Sequence, residues 1–171
     1  MSPETARSVR FVAVFAAVLG LLHAVYFAVP DPIMIDVLIH GLVAVPSGWV
    51  IDALSSQRIH VVDATIYSRD AAIQIIRGCD GSGSAFLLCA AIVALGAPLL
   101  RTLVGLAAGL ALIYVVNTTR IVGLFFVVAH QPDLFQTAHT LVAPAVIVLL
   151  GCLFFLAWGH WSLAPAHAAT D

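Results

Sequence analysis

Four stretches of this 171-residue chain are apolar for long enough to approach or match the width of a lipid bilayer, and that limits its fold more than any motif does. A hydrocarbon core of about 30 Å takes roughly 20 residues of helix. Residues 11–29, 84–100, 102–130 and 141–158 are the four runs. Composition agrees: 62% of residues are hydrophobic, 9% are charged, and the mean hydropathy is +1.08. Soluble domains are nearer half apolar and about a quarter charged, so a soluble chain of this kind would lack the polar surface to cover its core. Lipid is therefore the expected solvent, and residues 1–171 read as one membrane-embedded, all-α polytopic domain.

Seven arginines (there is no lysine) face nine acidic residues, which leaves no basic field to attract nucleic acid. Cys79, Cys89 and Cys152 form no closely spaced pair, which speaks against a disulfide framework and a zinc site alike, and no cofactor is expected. Arg7 and Arg10 precede the first run. A removable signal would have a shorter apolar core and a small-residue cleavage site. The first run is instead 19 residues long and closes on Val29-Pro30-Asp31-Pro32, so it reads as a retained span that starts in the cytoplasm. Trp158 and Trp161 close the last run as interfacial anchors would. The tail from Ser162 reads as frayed.

Residues 33–54 are ambiguous. They are long enough to span, yet hold Asp36, His40, Pro46 and Asp52. Each aspartate at a bilayer centre costs about 2.5–3.5 kcal/mol. Asp36, His40 and Ser47 fall on one stripe of an ideal helix, which suits a helix lying in the interface. Counting arginines leans the other way. Four spans place Arg7, Arg10 and Arg101 inside and Arg58, Arg69 and Arg77 outside, whereas a fifth would leave only Arg101 outside. The expectation is four spans plus an interfacial helix. Between that helix and the second span, residues 58–67 alternate and are rich in β-branched side chains, Ser68-Arg69-Asp70 makes a turn, and residues 71–77 read as a second strand. Together they predict a short extracytoplasmic β-hairpin.

Three reactive side chains stand near membrane boundaries. Cys79 precedes the second span. Arg120 lies 19 residues beyond Arg101, about 28 Å along a helix, which carries it across to the side of Cys79. His139 opens the last span after a short link and returns to that side. A thiol, a guanidinium and an imidazole at one membrane face suit acyl transfer: thiolate attack, proton shuttling and oxyanion stabilisation. Arg77 and Arg120 also place positive charge where it favours a thiolate. Asn117, one turn before Arg120, is a candidate to hold it or to line the site. Arg77 and Asn117 are the candidate substrate-binding residues. Alone, Cys79 would more often be a small packed hydrophobe, and His139 an interfacial hydrogen-bonding group. Arg120 is different, because an arginine inside an apolar run is functional by default. His23, in mid-span, reads as a helix–helix hydrogen bond, and His40, His60, His130, His160 and His167 as interfacial or solvent-exposed. A non-enzymatic transporter or assembly subunit with Arg120 in an anion site is the alternative.

The order Arg77-Gly78-Cys79-Asp80-Gly81, then Asn117-Thr118-Thr119-Arg120, then Phe135-Gln136-Thr137-Ala138-His139-Thr140 resembles the exosortase/archaeosortase family of membrane-embedded cysteine transpeptidases. The resemblance covers about residues 55–158, the hairpin included, and the short chain looks like the compact, exosortase H type. It departs at Asp80, where the family usually has serine. What the resemblance implies is Cys79 as nucleophile, Arg120 as oxyanion or thiolate stabiliser and His139 as general acid and base. It further implies an extracytoplasmic site in the inner (plasma) membrane. Substrates would be secreted proteins whose C-terminal signal joins a short motif, a transmembrane helix and a basic cluster, with the acyl group passed to an acceptor.

Overall fold

A computed structural model describes residues 2–163, so His167 and the tail beyond Leu163 lie outside the described residues. Helix α1 (Pro3–Ala28) starts on a Ser2 cap whose Oγ accepts from the Thr5 N–H at 3.2 Å, with Pro3 in the first turn. Helix α2 (Asp31–Leu54) leads to strands β1 (His60–Val62), β2 (Thr65–Tyr67) and β3 (Ala72–Gln74). Helices α3 (Ser82–Leu95), α4 (Leu99–His130) and α5 (Pro132–Leu163) complete the chain. Four helices, α1, α2, α4 and α5, are long and apolar enough to cross a membrane. The apolar side chains of α1 and α5 mostly point outward. In the most apolar stretches of α1 and α5 only 6% of residues are buried, an arrangement stable only against an apolar surrounding.

The four long helices are not the four expected runs. The run 84–100 yields only the 14-residue α3, about 21 Å long, because Gly96 ends it in the left-handed region (φ +71°) and Pro98 follows. Residues 31–54 instead form one long helix. Its expected polar stripe does not exist as a face: Asp36 is exposed but Ser47 is fully buried. The reason is a π-helical stretch, Met34–Ala44, whose wider i→i+5 turns shift the phase of every side chain after it. The expected hairpin is a three-stranded antiparallel meander, ordered β1-β2-β3. The first expected strand doubles back at Asp63, which takes φ +49°, a conformation Asp tolerates better than most residues. His40 Nδ1 lies 2.6 Å from the Asp63 carbonyl and ties α2 to that turn, and His60 stacks on Tyr67 across the strand pair.

Two apolar cores result. The first joins Ile39, Val43 and Ile51 of α2, Ile66 and Ile75 of the sheet region, Ile121 and Phe125 of α4, and Tyr26 at the end of α1. α2 thus packs on the sheet and the last turns of α4. Where this layer meets water, each buried Ile or Phe contributes about 1.5–3 kcal/mol. The second core joins Leu88 and Ile92 of α3, Ile113 of α4, and Ile147 and Trp158 of α5. Small residues let the helices of this core approach closely. Gly105 admits the Trp158 ring, and a Cβ at Gly109 would stand 3.0 Å from Leu88 and 3.1 Å from Phe154. α1 packs along α3. His23 bonds within its own helix, Nδ1 to the Leu19 carbonyl at 2.9 Å, and meets α3 in a T-shaped contact with the Phe86 ring. At the end far from the sheet, Arg101 donates to the Ser162 carbonyl at 2.7 Å and lies over Trp161, while Trp158 Nε1 donates to the Arg101 carbonyl.

Candidate active site

β3 delivers the chain to Gly78-Cys79-Asp80-Gly81 at the mouth of α3. Gly78 (φ +91°) and Gly81 (φ +87°) bracket the cysteine in left-handed conformations that only glycine takes freely. A Cβ at Gly81 would stand 2.8 Å from Asn117 Cγ, so the loop lies directly on α4. From the other side the Tyr26 hydroxyl donates to Asp80 Oδ2 at 2.9 Å and accepts from the Gly78 N–H at 3.1 Å. The Ser82 hydroxyl donates to Asp80 Oδ1 at 2.8 Å. Asp80 is therefore a clamp between α1 and the start of α3, each carboxylate oxygen taking one hydroxyl donor from a different helix. Tyr26→Phe removes both bonds of a buried hydroxyl and should lower stability by about 1–3 kcal/mol. Thermal unfolding in detergent measures this, and an unchanged Tm would contradict the clamp.

Cys79, Arg120 and His139 converge. Cys79 Sγ lies 3.5 Å from His139 Nε2, between residues 60 positions apart in sequence. Arg120 Nη1 is 3.5 Å from the Cys79 carbonyl oxygen, at the limit of a hydrogen bond. All three line one small cavity of about 50 Å³, walled by Ile73, Gln74 and Ile75 with Ile121, Leu124 and Phe135. The Phe135 ring stacks on the imidazole at 5.4 Å, one helical turn away, and fixes its plane. Among the described residues no further side chain hydrogen-bonds His139, so thiol and imidazole form a dyad. Arg120 Nε is buried without a partner, as is Asn117 Oδ1 on the preceding turn. Unpaired buried polar atoms are rare in folded proteins, and two of those among the described residues, on successive turns of α4, adjoin the Cys79 loop.

Neither candidate substrate-binding residue lines this cavity. Arg77 turns toward α1, donating to the Tyr26 and Val29 carbonyls at 2.9 and 3.1 Å and pairing with Asp31 at 2.7 Å. Asn117 is buried beneath Gly81. Both shape the loop that carries the cysteine. Sequence reasoning passed over Tyr26, the positive role of Asp80 and Phe135. Phe135 had a signal, its spacing of four from His139, whereas Tyr26 read only as a residue at the end of an apolar run. Comparison with known proteins finds no match to a family model, a curated protein or a solved structure.

Proposed function

We propose that this chain is a membrane-embedded cysteine peptidase or transpeptidase of exosortase-like type. It would process the C-terminal sorting signal of secreted proteins through a thioester on Cys79. The observation that carries the reading is the Cys79–His139 contact, made across two helices and beside an arginine. In the reaction His139 Nε2 takes the thiol proton and sulfur adds to the scissile carbonyl carbon. The guanidinium of Arg120 stabilises the negative oxygen. The C–N bond then breaks, the leaving amine takes the proton from His139, and the acyl group remains on Cys79. Water, or an acceptor nucleophile, attacks the thioester and frees the thiol. An anion-binding transporter would use Arg120 but would give the thiol–imidazole contact no part.

The test is co-expression with a tagged reporter that ends in a short motif, a transmembrane helix and a basic cluster. Mass analysis should find a new C-terminus on the reporter that requires this chain. An intact reporter at full enzyme level, for every signal encoded beside it, would contradict the proposal.

In the same reading α1, α4 and α5 cross the inner (plasma) membrane, the shorter α3 together with the link 96–98 makes the remaining crossing beside α1, and α2 lies in the interface. The packing of α2 on the sheet and the last turns of α4 supports this. Arg7 and Arg10 before α1 favour a cytoplasmic start, which makes the sheet and the site extracytoplasmic. Ser56→Cys and Leu99→Cys, each in a chain lacking other thiols, distinguish the orientations. On intact cells an impermeant maleimide should label position 56 and spare position 99. The reverse pattern would overturn the orientation.

A further inference from the structure

The sheet ends at an edge beside the cysteine. β3 pairs with β2 in the register Thr65↔Gln74, Ile66↔Ile73 and Tyr67↔Ala72, and among the described residues no strand lies beyond it. Two hydrogen bonds fix which way each peptide group points. Ser68 N–H donates to the Ala71 carbonyl and Ile75 N–H to the Ala64 carbonyl, both at 2.8 Å. In an antiparallel ladder the direction alternates, so Ala71, Ile73 and Ile75 face β2. Ala72 and Gln74 therefore turn their N–H and C=O groups outward, and both residues are exposed. Natural edges are blunted by proline, by charge or by a covering element. This edge reads Ala72-Ile73-Gln74-Ile75-Ile76 and carries neither proline nor charge. Ile73, Gln74 and Ile75 are also one wall of the cavity whose other walls hold Cys79, His139 and Phe135.

We propose that the outer edge of β3 is the substrate-binding track. An extended peptide pairs with the main chain of Ala72 and Gln74 as a fourth strand, which carries its next carbonyl to Cys79 Sγ. This rests on the proposal that Cys79 is a nucleophile. Recognition by strand addition takes affinity from the peptide main chain and leaves selectivity to side chains entering the cavity. The cavity admits only a small side chain at the position facing it. The substrate segment is thus an unfolded, β-compatible stretch, not a helix, at the point of cleavage.

The test uses the full chain in detergent and two alkylating probes, tri-alanyl chloromethyl ketone and iodoacetamide, read by mass spectrometry of the Cys79 peptide. The first probe has a peptide main chain and the second has none. Ala72→Pro, at the outward-facing position that does not line the Cys79 cavity, removes one outward N–H and no ladder bond, since proline is tolerated at that side of an edge. It should slow the peptidyl probe about tenfold, the loss of one well-made hydrogen bond, and leave the iodoacetamide rate unchanged. On the unaltered chain, N-methylation of the probe should slow labelling at alternate amides only, because alternate groups face a partner strand. Equal rates for Ala72→Pro and the parent, or equal sensitivity at every amide, would overturn the track while leaving the nucleophile in place. Failure of both probes to label Cys79 would overturn the nucleophile and the track together.

Discussion

Cys79→Ala should bring reporter cleavage down to background, a loss of about 10⁴-fold or more, as expected when a nucleophile is removed. The fold should survive, because Cys79 is half-buried in a small cavity and the loop is held by Gly78, Gly81, Tyr26 and Asp80 rather than by sulfur. Cys89→Ala and Cys152→Ala supply the contrast. Cys89 lies inside α3, and Cys152 is exposed on α5 beside Phe15, Leu88 and Phe155, an apolar setting with no imidazole. Both variants should cleave at close to the parental rate. Cys79→Ser should be nearly inactive, since a hydroxyl is a far weaker acid and, among the described residues, no third side chain hydrogen-bonds the base to raise its basicity. Full cleavage by Cys79→Ala at matched expression would return the chain to the anion-transporter reading.

Arg120→Lys should lower kcat/KM by about 10²–10³-fold although it keeps the positive charge, the range seen when an oxyanion donor is lost. Arg120 reaches the Cys79 carbonyl through Nη1 while Nε stays buried and unpaired, so one planar group presents donors in two directions. An ammonium on a flexible stem cannot hold both. The loss should fall on kcat more than on KM, because the donors act on charge that develops only during reaction. A lysine variant with parental kcat would mean that Arg120 serves through charge alone, and the oxyanion role would fall.

Much of the site was legible because topology does not depend on detail. Helices of membrane-crossing length, counted from Arg101, bring residue 120 back to the face that holds Cys79, and a short link does the same for His139. The distances of 3.5 Å agree with that counting. What the sequence concealed was local. A π-helical stretch cannot be read from apolar spacing, so the phase of α2 was misjudged and Ser47 was placed outside instead of in the core. The left-handed Asp63 gave no glycine signal, so one expected strand became two. Arg77 reads from sequence as a free cation beside a thiol, whereas its partners, two carbonyls at the end of α1 and Asp31 at the start of α2, come from nearly fifty residues upstream. Long-range hydrogen bonds of this kind leave no periodic trace.

The central claim is that an acyl group passes through Cys79. The most direct measurement is the mass of the Cys79 peptide after the enzyme, purified with its reporter, is quenched in acid during turnover. The account predicts an adduct equal to the reporter's acyl fragment on Cys79, released by neutral hydroxylamine as a thioester and missing from Cys89 and Cys152. Reporter cleaved in the same sample, with Cys79 free of adduct at every time point and Cys79→Ala still active, would contradict it.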